Sequence, residues 1–164
     1  MKKIGFIGMG NMARAIVRGV LAAGAVEASD LSAYALHFDR LSAFAAETGI
    51  APCRTLDELL ERSDTVVVAV KPYVVEQVLR QAGDRLRGKA LLSVAAGWPL
   101  ERYRPLLDES VRVQTLMPNT PCSVGEGMLL FEEANTLTAE EHEAALKLFD
   151  DGAHLHAQLC VKVT

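Results

Sequence analysis

The residues best suited to chemistry stand close to the amino terminus. A short apolar run, Ile4 to Ile7, breaks into Gly8-Met9-Gly10-Asn11-Met12-Ala13, and a helical pattern follows. In the spacing G-x-G-x-x-G the first glycine permits a tight turn and the second lets a pyrophosphate approach the backbone. The third keeps helix and strand close together, and here the equally small Ala13 stands in that place. Free N–H groups and the positive dipole end of a helix beginning near Asn11 would then face phosphate oxygens. Two glycines alone could equally be an ordinary tight turn. Placed after a strand and before an amphipathic helix, Gly8, Met9, Gly10, Asn11 and Met12 predict a dinucleotide cradle.

Similar punctuation recurs downstream. Apolar runs end at Ala69-Val70-Lys71-Pro72, at Ala95-Ala96-Gly97 and at Met117-Pro118-Asn119-Thr120-Pro121. Small residues, glycine and proline at a strand end suit a ligand lying against backbone. In a doubly wound sheet ligands sit outside the carboxyl ends of the strands, so all four segments are expected on one edge. Lys71 precedes a proline and should be held extended there. After the second strand, where an acid would bond the ribose of NAD, the chain reads Ala35-Leu36-His37-Phe38-Asp39-Arg40. An acid at that place repels a 2′-phosphate, and its absence permits one. With His37 and Arg40 to supply positive charge, NADPH is the expected cofactor, NADH remaining possible.

Other chemistries find little support. No Ser/His/Asp arrangement and no carboxylate pair stands out. The cysteines, Cys53, Cys122 and Cys160, are odd in number and widely spaced, which fits neither a disulfide framework nor a zinc site. His154 and His156 would share one face of a strand, better read as a half-buried edge strand than as a metal pair. The carboxylates from Glu140 to Glu143 read as a solvated first turn, and Trp98 as packing. No metal is expected.

The elements that must position these residues alternate. Strands are predicted at Ile4–Ile7, Leu31–Leu36, Thr65–Val70, Ala90–Ala96, Val111–Met117 and Gly127–Glu133, with a last one at His154–Gln158. The first helix carries Met12, Ile16 and Val20 beside Ala13, Val17 and Leu21, a two-row apolar face with Arg14 and Arg18 on the wet side. Further helices are expected from Asp39 to Glu47, from a capping box at Thr55 and Glu58 to Arg62, from Pro72 to Gln81, from Leu100 to Leu107, and from a second box at Thr138 and Glu141 to Phe149. The run Thr65 to Val70, T-V-V-V-A-V, reads as a strand buried on both faces. Strands alternating with helices build an α/β fold, a doubly wound, Rossmann-type and mostly parallel sheet with helices on both faces.

The 164 residues suffice for one domain, residues 1–164, and half of them are hydrophobic. A formal net charge of −4 argues against nucleic acid or an acidic membrane as partner. No apolar stretch approaches the roughly 20 residues of a membrane span. The first apolar run is broken by Asn11, Arg14 and Arg18, unlike an export signal, so a cytoplasmic location is expected.

"GFIGMGNMARAI", "VVVAVKP", "LLSVAAG" and above all "MPNTPCSVGEGM" resemble the N-terminal dinucleotide-binding domain of pyrroline-5-carboxylate reductase. The resemblance spans essentially the whole chain. It implies NAD(P)H-dependent reduction of 1-pyrroline-5-carboxylate to proline, an oxidoreductase acting on a C=N bond. By the same resemblance Gly8 to Met12 would hold the pyrophosphate. Ala69, Val70, Lys71 and Pro72 would line the nicotinamide-ribose side, with Ala95, Ala96 and Gly97 beside the ring, and Asn119 and Thr120 would face the substrate. Hydride transfer to a protonated imine asks mainly for positioning and water exclusion, so no catalytic residue is assigned. Two departures fall on the adenosine half: Ala35-Leu36 where the family often has Asn-Arg or Asn-Ser, and Leu56 near a common asparagine. In the family a C-terminal helical domain makes the homo-oligomer and much of the substrate pocket; it is expected to be absent here, leaving residues 1–164 able to bind the dinucleotide and nearly inactive alone. A related β-hydroxyacid or imine reductase, and a non-catalytic dinucleotide-binding accessory protein, are the alternatives.

Overall fold

The computed structural model describes residues 3–119, 128–153 and 156–160, with side chains for 3–119 and 129–149. Eight strands form one sheet in the order β3-β2-β1-β4-β5-β6-β7-β8. They are β1 (Ile4–Ile7), β2 (Leu31–Tyr34), β3 (Ala51–Cys53), β4 (Thr65–Val68), β5 (Ala90–Ser93), β6 (Arg112–Pro118), β7 (Met128–Glu132) and β8 (His156–Cys160). The first six run parallel, β7 is antiparallel to β6, and β8 is parallel to β7. The helices are α1 (Asn11–Ala22), α2 (Phe38–Thr48), α3 (Leu56–Arg62), α4 (Pro72–Ala82), α5 (Leu100–Tyr103) and α6 (Ala139–Ala153).

Register explains the layers. Phe6, Val67, Leu92 and Gln114 lie side by side across the sheet, and the row of their neighbours, Ile7, Val68, Ser93 and Thr115, faces the other way. Phe6, Val67 and Leu92 join α1, α2 and α6 in one core; Ile7, Val66, Val68 and Leu91 join α3, α4 and α5 in the other. The sheet is therefore covered on both faces, and Val66, Val67 and Val68 are wholly buried, as their unbroken apolar run requires. On α1 the buried residues include Ala13, Ile16, Val17 and Val20, each branched one stabilising by about 1.5–3 kcal/mol if fully buried. At both predicted boxes the threonine caps its helix, while Glu141 accepts from the Thr138 N–H and Glu58 from the Arg54 N–H rather than that of Thr55. Thr55 Oγ1 accepts from the Glu58 N–H at 3.1 Å, and Thr138 Oγ1 accepts from that of Glu141 at 3.1 Å.

Several boundaries differ from expectation, with one shared cause. β2 stops at Tyr34, β4 at Val68 and β5 at Ser93, two or three residues before their apolar runs do. Past those points the strand hydrogen bonds run on only through the Ala69 and Val94 N–H groups, which donate to Ile7 and Val68, and Ala35, Val70 and Val94 line a cleft while packing partly on the cores. Leu36 is 84% exposed. Strand β3 escaped the sequence reading because it is short and carries Pro52. Its place beyond β2, at the sheet edge, is where a strand tolerates a proline. The predicted helix over Leu100–Leu107 divides into α5 and a 3₁₀ turn, Arg104–Leu106, with Pro105 in its first turn. β8, described over His156–Cys160, overlaps the strand expected at His154–Gln158. Gly127, His154 and Cys122 lie outside the described residues.

Candidate functional site

A cleft of about 1490 Å³ opens at the carboxyl ends of the parallel strands. It runs from the end of β2, past β1 and β4, to β5 and β6. The chain order reverses between β1 and β4, the switch point at which doubly wound sheets bind ligands.

Its floor is the glycine turn. Gly8 has φ +94°, and a Cβ there would stand 2.7 Å from the Ala69 carbonyl oxygen and 2.8 Å from Val70 Cγ1. Only glycine fits: the turn after β1 is pressed against the strand end after β4. Its N–H remains in the ladder, donating to the Tyr34 carbonyl at 2.8 Å. Gly10 differs, with ordinary extended backbone (φ −78°, ψ −173°) and nothing within 4 Å of a built Cβ. The emptiness beside Gly10 is the cleft itself. Gly10 is also the N-cap of α1, with no side chain capping it and no acid in the first turn. A 12-residue helix thus presents bare N–H groups and its positive dipole end to the cleft.

Arg14, which the helical pattern puts on the wet side of α1, is half-buried and tied down. Its Nε donates to the Met9 carbonyl at 3.2 Å and its Nη2 to that of Arg40 at 3.3 Å. The guanidinium lies 5.2 Å from the Phe44 ring centroid. One side chain therefore clips the glycine turn to the start of α2. Sequence spacing could not show this, since the partner segment is brought alongside only by the β1–β2 pairing. His37 is the exposed N-cap of α2, again without a side-chain cap, and lines the cleft with Arg40.

On the far side, Lys71 is extended (φ −62°, ψ 146°) and caps α4, with Pro72 in the first turn. Tyr73, Val74, Gln77 and Gln81 continue that wall along one face of α4, a helical spacing that could have been read from the sequence. Ala95, Ala96 and Gly97 follow β5, and Trp98 lines the cleft while packing on the core beneath. Thr115, Met117 and Pro118 close the end of β6, with Glu132 of β7 accepting a hydrogen bond from the Thr115 hydroxyl.

All thirteen residues expected around the cofactor, from Gly8 to Met12, His37, Ala69 to Pro72 and Ala95 to Gly97, therefore line this one cleft. Asn119, next after Pro118, is exposed and is not among the residues that line the cleft, and Thr120 lies outside the described residues. Leu56 is buried in the core under α3, not in the cleft. Among the described lining residues Arg14, Arg40 and Lys71 face a single carboxylate, Glu132. That balance, with bare helix N-termini, suits a polyanion. Among the described residues no cluster of three or more His, Cys, Asp or Glu could hold a metal, and no helix is long and apolar enough to cross a membrane.

Known proteins share this arrangement. The family described as NADP oxidoreductase, coenzyme F420-dependent, matches residues 3–97. The pyrroline-5-carboxylate reductase of Treponema pallidum is 37% identical over 147 residues, covering 87% of this chain and 56% of that protein. That of Escherichia coli is 33% identical over 149 residues, covering 90% and 55%. A pyrroline-5-carboxylate reductase structure from Coxiella burnetii superposes with a TM-score of 0.88 at 27% identity, covering 98% of this chain and 59% of that one. Pyrroline carboxylate reductase of Plasmodium falciparum, with NADP bound, gives a TM-score of 0.82 at 25% identity, covering 95% and 57%. The chain spans about half the length of the curated relatives it matches. The matched family region runs through β1, α1, β4 and the turn after β5, which make most of the cleft, and the chain belongs to the pyrroline-5-carboxylate reductase family of NADP oxidoreductases.

Proposed function

We propose that residues 1–164 form the dinucleotide-binding domain of an NADPH-dependent reductase that converts 1-pyrroline-5-carboxylate to proline. The observation that carries this reading is the uncapped α1 N-terminus over a glycine turn, opening into a cleft of about 1490 Å³ that runs across the ends of five strands. The residues fit the group: Gly8 makes the close approach, Gly10 leaves the space, and bare N–H groups from Asn11 onward meet the pyrophosphate. When bound, the nicotinamide supplies the hydride that reduces the C=N carbon. The chain's own residues hold and orient it: Ala69 to Pro72 on the ribose side, Ala95 to Gly97 beside the ring, Asn119 and Thr120 toward the substrate.

NADPH is favoured over NADH by the end of β2. His37 and Arg40 line the cleft at the uncapped start of α2, and Asp39, the acid of that turn, is exposed and does not line it. Calorimetric titration with NADPH and NADH, then an NADPH oxidation assay with pyrroline-5-carboxylate, tests the proposal. Saturable, tighter NADPH binding is expected; a chain that binds neither nucleotide refutes it.

A further inference from the structure

The turn between β5 and α5, residues 94–98, is held from behind by side chains of α5, and each attachment can be named. Tyr103 is fully buried, and its hydroxyl lies 2.5 Å from Ser93 Oγ, the last residue of β5. Ser93 Oγ in turn accepts the Ala95 N–H at 3.2 Å. Arg102 donates from Nη1 to the Gly97 carbonyl at 3.0 Å. Trp98, between them in sequence, packs its ring 5.3 Å from that of Tyr103, with the Arg102 guanidinium 5.5 Å from its centroid. Ala95, Ala96, Gly97 and Trp98 all line the cleft, whereas Tyr103 and Arg102 do not.

The energetics favour a fixed turn. A buried phenol needs a partner, and the Ser93 hydroxyl is the one it has here. Burial pushes the Tyr103 hydroxyl up to about 12, with the Ser93 hydrogen bond opposing and the Glu132 charge adding to the rise. The hydroxyl therefore stays protonated at ordinary pH, and the attachment persists. Gly97, at φ +72°, has no Cβ to brace the turn, so the carbonyl bond from Arg102 supplies the restraint that a side chain would otherwise give.

We infer that Tyr103, through Ser93, and Arg102 are positioning residues that preset the residue 94–98 turn against the nicotinamide half of the dinucleotide. The inference rests on the dinucleotide reading above. Neither side chain touches the ligand; each fixes backbone that does. The adenosine half, over α1 and α2, lies outside their reach.

The test uses that division. NADPH and adenosine 2′,5′-bisphosphate, which keeps the adenosine and 2′-phosphate and lacks the nicotinamide, are each titrated into the wild-type chain, Tyr103→Phe and Arg102→Met. Tyr103→Phe keeps the ring and removes one neutral hydrogen bond, so NADPH should bind about three- to tenfold more weakly. Arg102→Met, at an exposed residue, should act in the same direction. Bisphosphate affinity should stay within about twofold in both, which also shows that the variants fold. Equal weakening of both ligands would mean a general structural effect and overturn the inference, as would unchanged NADPH affinity in both variants. Wild-type protein that binds neither ligand would overturn the dinucleotide reading instead.

Discussion

Two glycines two residues apart should fail in opposite ways when given a side chain. Gly10→Val places its Cβ where nothing stands within 4 Å, on backbone that any residue adopts. The fold loses only a slightly better N-cap, about 1 kcal/mol or less. The cleft loses the approach to the α1 N-terminus. Hydrogen bonds to a charged group contribute roughly 1.5–3 kcal/mol each, so displacing two pyrophosphate contacts weakens NADPH more than a hundredfold. Gly8→Ala reverses the balance. Its Cβ must sit 2.7 Å from the Ala69 carbonyl oxygen at φ +94°, which combines about 1–2 kcal/mol of left-handed strain with a clash against backbone. A Tm fall of about 5–15 °C follows from a total near 2–4 kcal/mol. Calorimetry and thermal unfolding on both variants decide the matter. A folded Gly10→Val chain with wild-type NADPH affinity would refute the cradle, whatever Gly8→Ala does.

Further outcomes follow from other parts of the molecule. Arg40→Glu puts an acid where the 2′-phosphate is expected, so NADPH should weaken by tenfold or more while NADH changes little; parallel titrations showing equal losses would remove Arg40 from that role. Glu141 accepts two hydrogen bonds at 2.7 Å from the Arg112 guanidinium, which holds its carboxyl below the ordinary 4.5. A lowered folded value means stability that is present above 4.5 and lost as pH falls below it, so Glu141→Gln should cost about 1–2 kcal/mol at neutral pH and flatten the acid limb. Denaturant midpoints that fall equally with acid in both proteins would contradict this. Gly5→Ala builds a Cβ into Ser63 Oγ and 3.0 Å from Leu59 Cδ1, so a loss of about 1–3 kcal/mol is expected, and an unchanged urea midpoint would show that α3 can yield.

Gly5 also shows where reading a sequence stops. In the run Ile4 to Ile7 it looks like a weak point of a strand, since glycine there costs entropy and packs nothing. The structure gives the reason: α3 lies so close beneath β1 that Leu59 and Ser63 occupy the space of a Cβ. That approach joins residues more than fifty positions apart, and no local pattern encodes it. The same holds for Arg14. Periodicity correctly puts it off the buried stripe of α1, but its carbonyl partner on α2 is supplied by the pairing of β1 with β2. What could be read was local. The β-branched run of β4, the paired rows of α1 and the threonine caps at Thr55 and Thr138 each carry their cause within a few residues, and each formed.

The strand ends lie between these cases and carry the argument furthest. Ala35, Val70 and Val94 continue apolar runs and were expected within strands, yet each follows the end of its strand and lines the cleft. Composition cannot separate an apolar residue that covers a core from one that awaits an apolar ligand, because both are selected by the same loss of water contact. Topology separates them. Where β1 and β4 send their following segments apart, the sheet's carboxyl edge is left uncovered, and whatever the sequence places there lines a cleft. In this chain that edge received glycine, alanine, proline, three cations and two bare helix N-termini. An uncovered edge of that composition has little means of stabilising itself, and a dinucleotide supplies both the anion its helices lack and the flat surface its small residues leave room for.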